Sequence, residues 1–475
     1  MSEPTPHKPR RAVIIGGSIA GMLAAAAVSD SVDIIDVIDA HEVPSGPEPR
    51  AGVPQAAHFH TLLSGGAEAF EGLLPGSTGD LIAAGANRVP VTTDMVMYSP
   101  EGWYRRWANS THFQITASRN LTDSVIRERV LANPKVRVHQ QTKAVALLGD
   151  KSRISGLRLR SAQGREYEQP AHLIVDASGR ASRTPNWLRD LGITSLKEER
   201  IDTGLSYASR IYQAPVTTRG WPIINLQADF RGNQPRAGGI IPIERDRWHV
   251  SLIGPPGAEP GRDASSFEEF ARNLRHPIVA DLLSRATPLT EVTFTRTTAN
   301  RRYFYERLRP WPEGLIVVGD AVAAFNPIYG QGMTVAARSA LAIRQALSTR
   351  GLVDGIARKA QQAIASPVGL AWTLSAGSDI HHPASKGKAP NPVDRLLQQY
   401  VSRLSRTATG SFNVATALTN VLMLQASPQS LVKPSMLVAA LLGPRRPQLD
   451  GPPLAPAECR VLDSRVPVAP PASGR

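Results

Sequence analysis

The stretch Val13-Ile14-Ile15-Gly16-Gly17-Ser18-Ile19-Ala20-Gly21 decides the fold. Its β-branched residues suit a buried strand, the glycines allow a tight turn, and the alanine-rich run that follows reads as a helix. The pattern predicts strand 12–16, helix 19–29 and strand 32–38, a β-α-β unit. A helix entered through such a turn offers free N–H groups and the positive end of its dipole to a pyrophosphate. Gly16, Ser18, Ile19, Ala20 and Gly21 are therefore candidate contacts to a dinucleotide. Ser18 stands where the usual fingerprint has its second glycine, so the motif gains its weight from context. Asp39, followed by Ala40, ends the next strand eighteen residues after Gly21, where a carboxylate can accept both ribose hydroxyls. Asp36 is the competing carboxylate but falls in mid-strand.

Nearly three hundred residues downstream, the apolar run Leu315–Val318 enters Gly319–Met333, GDAVAAFNPIYGQGM. Asp320 is placed to bond a ribityl hydroxyl, and Pro327, Gly330, Gln331, Gly332 and Met333 bring a second helix N-terminus towards a planar ring. Backbone N–H groups there would favour the anionic reduced form of a flavin. Two such elements far apart in the chain fit the two ends of one extended cofactor, FAD.

The remaining composition is that of a soluble globular protein: 475 residues, 42% hydrophobic and 20% charged. Cys459 is the only cysteine, which excludes an internal disulfide and a cysteine metal cluster. Met1–Arg11 is polar, without the apolar core of a secretory signal, and no window has the uninterrupted apolar length of a membrane span. A cytoplasmic location is expected. Of the 54 basic residues 45 are arginine, giving a net charge of +14. They are scattered among only 5% aromatics, so nucleic acid is not expected as a partner, and anionic cosubstrates fit better.

Period-two patterning in 88–116 and 203–298 predicts a largely antiparallel sheet, with one helix at about 265–275. A helix at 119–132 is expected behind Ser118 or Thr122. The expected fold class is α/β: a Rossmann-like FAD-binding domain (1–87, 117–202, 299–350) with the β-sheet substrate domain (88–116, 203–298) inserted. A helical C-terminal region (351–443) and a flexible tail (444–475), with eight prolines in 32 positions, complete the chain. Phe412–Leu424 and Leu431–Leu442 are apolar enough to pack on the body; contact with a membrane surface or partner is the other reading.

With these motifs the chain resembles flavoprotein monooxygenases of the para-hydroxybenzoate hydroxylase type over about residues 12–350, including Asp176–Arg183, DASGRASR. Within them, Arg50–His60, Tyr207–Arg210 and Phe325–Met333 are similar to squalene-epoxidase-like enzymes, and most of all to polyether-ionophore epoxidases, a likeness that reaches Trp372 and Asp379. The resemblance implies that Arg50 and Arg119 meet FAD near the pyrophosphate and ribityl chain, and that Val145 lies beside adenine through its backbone. It also implies that Gln55 and His58 neighbour the flavin ring; for His60 a polar core role is the simpler reading. Arg180 and Arg183 could reach NADPH phosphates or brace the fold, and bracing is preferred. Ala57 stands where many relatives have an arginine, and the tryptophan motif of related halogenases is missing.

The expected activity uses NAD(P)H and O2 to form a C4a-hydroperoxyflavin, whose electrophilic oxygen epoxidises alkenes of a lipophilic polyketide, free or carrier-bound. That chemistry needs no catalytic side chain, and none is assigned. The alternatives are an aromatic polyketide hydroxylase, a flavin-dependent alkene reductase, or a flavin-bound assembly factor. No metal is expected and no oligomeric state is assigned.

Overall fold

A computed structural model describes residues 9–463. Its centre is a five-stranded, all-parallel sheet in the order Leu315–Val317, Leu173–Asp176, Arg11–Ile15, Ile34–Ile38, Val136–His139. Strands buried on both faces read as unbroken apolar runs, as Val13-Ile14-Ile15 and Leu315-Ile316-Val317 do. The helix Ile19–Val28 follows the first strand, and nine of its ten residues are buried. That burial explains why the helix is nearly all alanine and aliphatic rather than amphipathic. The helix Arg119–Leu131 is capped by Ser118, whose side chain accepts the Leu121 N–H; Thr122 is not the cap.

The second layer is an eight-stranded, largely antiparallel sheet. Its long strands, Ser206–Gln213, Arg247–Gly254, Ala237–Ile243 and Ile223–Leu226, lie side by side, and Met95–Ser99 joins in parallel at the far edge. Alternation divides its faces. Tyr212, Trp248, Val250, Leu252 and Ile240 form a core with the helices Ala264–Arg272 and Ile278–Leu283. Tyr207, Ser209, His249 and Ser251 point the other way, towards the nucleotide domain. The α/β class, the inserted sheet and the helical C-terminal region are as expected.

Two details differ and one helix was not anticipated. The segment 88–116 divides: Phe113–Ala117 pairs with Asn87–Pro90 on one side and His60–Leu63 on the other in a separate three-stranded sheet, and only 95–103 reach the large one. Ser64–Leu73 is a helix despite three glycines, because Gly65 and Gly66 meet the backbone at Met423 and the Thr334 side chain, where a Cβ would lie 2.4 and 2.5 Å away. The expected flexible tail instead crosses the eight-stranded sheet over 444–463, where the helix Pro456–Asp463 forms. Arg106 binds Glu458 there at 2.6 and 2.9 Å, and Gln448 donates to the Glu101 carbonyl at 2.8 Å. The rest of the tail lies outside the described residues.

The C-terminal helices are Ile356–Asp379, Pro392–Ala408, Phe412–Leu422 and Pro434–Leu442. Phe412–Leu422 packs as expected, burying Val414, Ala415 and Val421. Leu431–Leu442 packs only in part: Leu431 and Ala440 are buried, whereas Leu441 and Leu442 are 71% and 79% exposed.

Candidate functional site

The two glycine-rich segments meet. A Cβ on Gly319, which sits at φ +67°, would lie 2.9 Å from the Ala20 Cβ, so the downstream turn packs directly on the first helix. Gly16 takes φ +98°, and a Cβ there would lie 2.7 Å from the Ala177 carbonyl oxygen. Only glycine permits that turn.

At the nucleotide end Asp39 is the hub. One carboxylate oxygen accepts the Gly17 N–H at 2.7 Å and Arg50 Nη2 at 2.5 Å; the other accepts the His41 N–H at 2.9 Å. Arg50 also donates to the Gly17 carbonyl at 2.8 Å, and Arg119 donates to Ser18 Oγ at 2.9 Å. The Ser18 hydroxyl caps no N–H of the helix, and the first turn holds no acid. Nε of Arg50 is buried without a hydrogen bond, while Arg119 Nε faces Asp123 at 3.3 Å. Positive charge, an uncapped helix start and an unsatisfied donor converge, and this fits a pyrophosphate. Beside them a cavity of about 680 Å³ is lined by Ala40, His41, Arg50, Gln140 and Gln141, room for the adenosine end. Asp36, the rival carboxylate, is taken up under the sheet by Arg11 and by His139 at 2.8 Å. Burial works against its charge, but the hydrogen bonds from His139 and Arg11 hold its carboxyl below the ordinary value.

At the other end Asp320 keeps 38% of its side chain exposed. Poor solvation pushes its carboxyl above the ordinary value, against the opposing charges of Arg180, Arg119 and Arg301. Arg119 thus senses both ends of the site. Arg180 donates to the carbonyls of Ala299 at 2.9 Å and Phe325 at 2.7 Å and stands 3.7 Å from Asp320. Those contacts brace the turn. Arg183 sits over the Trp187 ring at 5.9 Å. Pro327 opens a one-turn 3-10 helix that Gly330 closes at φ +62°, and Gly332 begins the long helix Gly332–Arg350. A Cβ on Gly332 would meet nothing within 4 Å, whereas Gln331 Oε1 and Thr334 Oγ1 are buried without partners. Met333 is buried behind them. Open space above an uncapped helix start, flanked by unsatisfied polar atoms, fits a flavin ring.

Above this turn lies the sheet. His58 Nδ1 is 2.8 Å from Ser209 Oγ, which is 2.5 Å from Ser251 Oγ, and His249 Nε2 donates to the Ala57 carbonyl at 3.1 Å. Burial holds His58 at about 4, and His60 and His249 at about 3, so all three are neutral at pH 7. His60 bonds the His58 carbonyl at 2.9 Å, a core role. Gln55 projects from the exposed turn Pro54–Ala57. Val145 is the unpaired residue at a register shift between its strand and Ile154–Arg160, and its carbonyl accepts the Trp187 indole at 3.1 Å, so that oxygen already serves the fold.

A buried network that the motifs alone did not reveal ties the C-terminal region to the turn. Asp379 accepts hydrogen bonds from Asn300 at 2.6 Å, Asn326 at 2.9 Å and Tyr329 at 2.6 Å, and Tyr207 donates to Asn326 at 2.8 Å. Burial raises the Asp379 carboxyl despite these bonds. Asp379 stood out in the sequence only through the resemblance, because its partners come from three distant segments.

The chain matches the model of the FAD binding domain over residues 10–351. It is 31% identical over 405 residues to Protein Rv3254 of Mycobacterium tuberculosis, covering 82% of this chain and 85% of that one. Kynurenine 3-monooxygenase of Salinispora arenicola is 24% identical over 362 residues, 71% of this chain and 72% of the relative. Among solved structures, p-nitrophenol 4-monooxygenase PnpA from Pseudomonas putida DLL-E4 superposes with a TM-score of 0.61 at 14% identity, covering 92% of this chain and 100% of that chain. The flavin-dependent brominase Bmp2 gives 0.61 at 17% identity, over 87% and 92%. With the domain match spanning most of its length, this chain belongs to the FAD-binding-domain family.

Proposed function

We propose that the chain is an NAD(P)H- and O2-dependent flavin monooxygenase whose substrate is a neutral, lipophilic alkene, with epoxidation of a polyketide as its reaction. One observation carries the substrate class. The site-facing side of the sheet presents Tyr207, Ser209, Ile211, Ile241, His249, Ser251 and Ile253, none of them charged at pH 7, and Arg247, at the end of its strand on that face, is taken up by Glu244 at 2.6 Å. A carboxylate substrate would want an arginine there. Apolar and hydroxyl-bearing side chains instead suit an uncharged chain and keep water out.

FAD, when bound, supplies hydride acceptance and oxygen activation. Asp39, Arg50, Ser18 and Arg119 would hold its nucleotide half, and Asp320 with the start of the helix Gly332–Arg350 its flavin half. The dipole of that helix favours negative charge on the ring by about 0.3–1 kcal/mol, and about 2 when sheltered. Arg180 holds the turn that presents Asp320. The sequence has one dinucleotide turn, consistent with a nicotinamide that binds, transfers hydride and leaves.

Aromatic hydroxylation, suggested by the names of several relatives, commonly benefits from a base that ionises a phenol. His58 and His249, held at about 4 and 3 by burial, are weak bases for that purpose, which favours alkene oxygenation. Flavin-loaded protein incubated with a polyene polyketide, NADPH and ¹⁸O2 should yield a product carrying one labelled oxygen per alkene, read by mass spectrometry. NADPH oxidation with a saturated, unlabelled product would replace this reading with alkene reduction.

A further inference from the structure

The helix Pro392–Ala408 carries one apolar stripe whose two halves have different fates. Towards its C-terminus, Tyr400, Leu404 and Ala408 pack into a small core with the helices Phe412–Leu422 and Pro434–Leu442. Towards its N-terminus, Val393, Leu396, Leu397 and Val401, spaced i, i+3, i+4 and i+8, continue the stripe and are bare; Leu396 is 66% exposed. The adjoining helix Pro434–Leu442 presents Leu437, Val438, Leu441 and Leu442, also exposed. Arg403 fixes the two helices together by donating to the carbonyls of Ala440 at 2.6 Å and Leu441 at 3.1 Å. Ten of the fifteen large exposed hydrophobic side chains among the described residues lie within 393–442, so the exposure is concentrated rather than scattered.

Charge indicates what covers this face. Residues 383–449 hold eight Lys and Arg against the single Asp394, a surplus of seven and half of the chain's +14. Lys388, Arg395, Lys433 and Arg445 are exposed and form no ion pair among the described residues. A second copy of the chain would set like charges against each other in any two-fold contact through this face. Residues 464–475 contain two arginines and no acid, so they offer no complementary charge either. Exposed leucines beside unpaired cations match the interface of an anionic bilayer. No helix of the described residues is long and apolar enough to cross a membrane, so contact would be peripheral.

We propose that the bare faces of the helices Pro392–Ala408 and Pro434–Leu442 dock the protein on an anionic phospholipid surface, leucines entering the acyl boundary and cations meeting the headgroups. This inference stands independently of the proposed reaction. The test is flotation of the flavin-loaded full chain with vesicles of phosphatidylcholine alone or enriched in phosphatidylglycerol. Binding is expected to the anionic vesicles and to weaken with added salt. The double variant Leu397→Glu, Leu441→Glu and the charge reversal Lys433→Glu, Arg445→Glu should each weaken binding by at least about tenfold. Because these side chains are exposed, melting temperature and flavin content should stay at wild-type values. Equal binding to neutral and anionic vesicles, or no binding to either, would overturn the proposal. So would a wild-type dimer in sedimentation that the Leu397→Glu, Leu441→Glu pair splits into monomers.

Discussion

Two glycines in equivalent-looking motifs do different work. A Cβ at Gly21 would lie 1.7 Å from the Gly16 carbonyl oxygen, so Gly21→Ala should disrupt the turn and lower the melting temperature of the flavin-free protein. A Cβ at Gly332 meets nothing within 4 Å. Gly332→Ala should therefore leave flavin-free stability within about 0.5 kcal/mol of wild type while weakening flavin retention, read from absorbance near 450 nm on purified protein. Full flavin content in that variant would mean the ring sits elsewhere. The buried histidines give a second expectation. Their native pKa values lie below the ordinary 6.5, at about 4 for His58 and about 3 for His249. Below pH 6.5 the unfolded chain takes up protons that the native protein refuses. Stability should therefore be intact above that pH and fall towards pH 4, by up to about 1.4 kcal/mol per pH unit for each histidine. Urea unfolding across this range checks it, and His249→Gln, which keeps the donor to Ala57, should flatten the slope.

At the level of elements, the helix Ile356–Asp379 is joined to the turn Pro327–Tyr329 and its cap Asn326 through its last residue. Asp379→Ala would strand two amides and a tyrosine hydroxyl in a buried place, a loss of about 3 kcal/mol or more. Asp379→Asn keeps the shape and one acceptor oxygen and should fall between. Thermal melts rank the three proteins; equal melting temperatures would show that the network does not stabilise the turn. The sequence conveyed individual elements unevenly. Strongly periodic or uniformly apolar segments such as Ile19–Val28 and Arg247–Gly254 were readable because burial on a face leaves a repeat in the chain. The helix Ser64–Leu73 was not, because its glycines answer to Thr334 and Met423, which are distant in sequence.

Across the whole molecule, the last described segment straps the eight-stranded sheet. Arg106 is held by Glu458 on the tail and by Asp94 at 3.0 Å on the sheet side. Removing residues 444–475 would leave the mostly buried Arg106 cation with half its partners, a loss of about 1–3 kcal/mol. The truncated protein should melt several degrees lower, and Glu458→Gln should reproduce part of that fall; unchanged melting would show that the strap contributes nothing. Proline content suggested a disordered or loosely draped tail, and the described part is draped: proline interrupts helix interiors without forbidding an extended chain laid along a surface or a short helix that begins at Pro456.

The sequence by itself determined that two glycine-rich turns serve one dinucleotide-type fold, since strand, turn and helix start are local and their chemistry is written in consecutive residues. It also determined the inserted sheet, through alternation. Tertiary structure showed what occupies the two carboxylates: Asp36 is bonded by Arg11 and His139, while Asp39, favoured already by its place at the strand end, accepts the Gly17 N–H at the helix start. It alone made Asp379 a hub and left the leucines of Pro434–Leu442 bare. Exposure and partnership depend on which distant segments arrive, and no local window of sequence contains that.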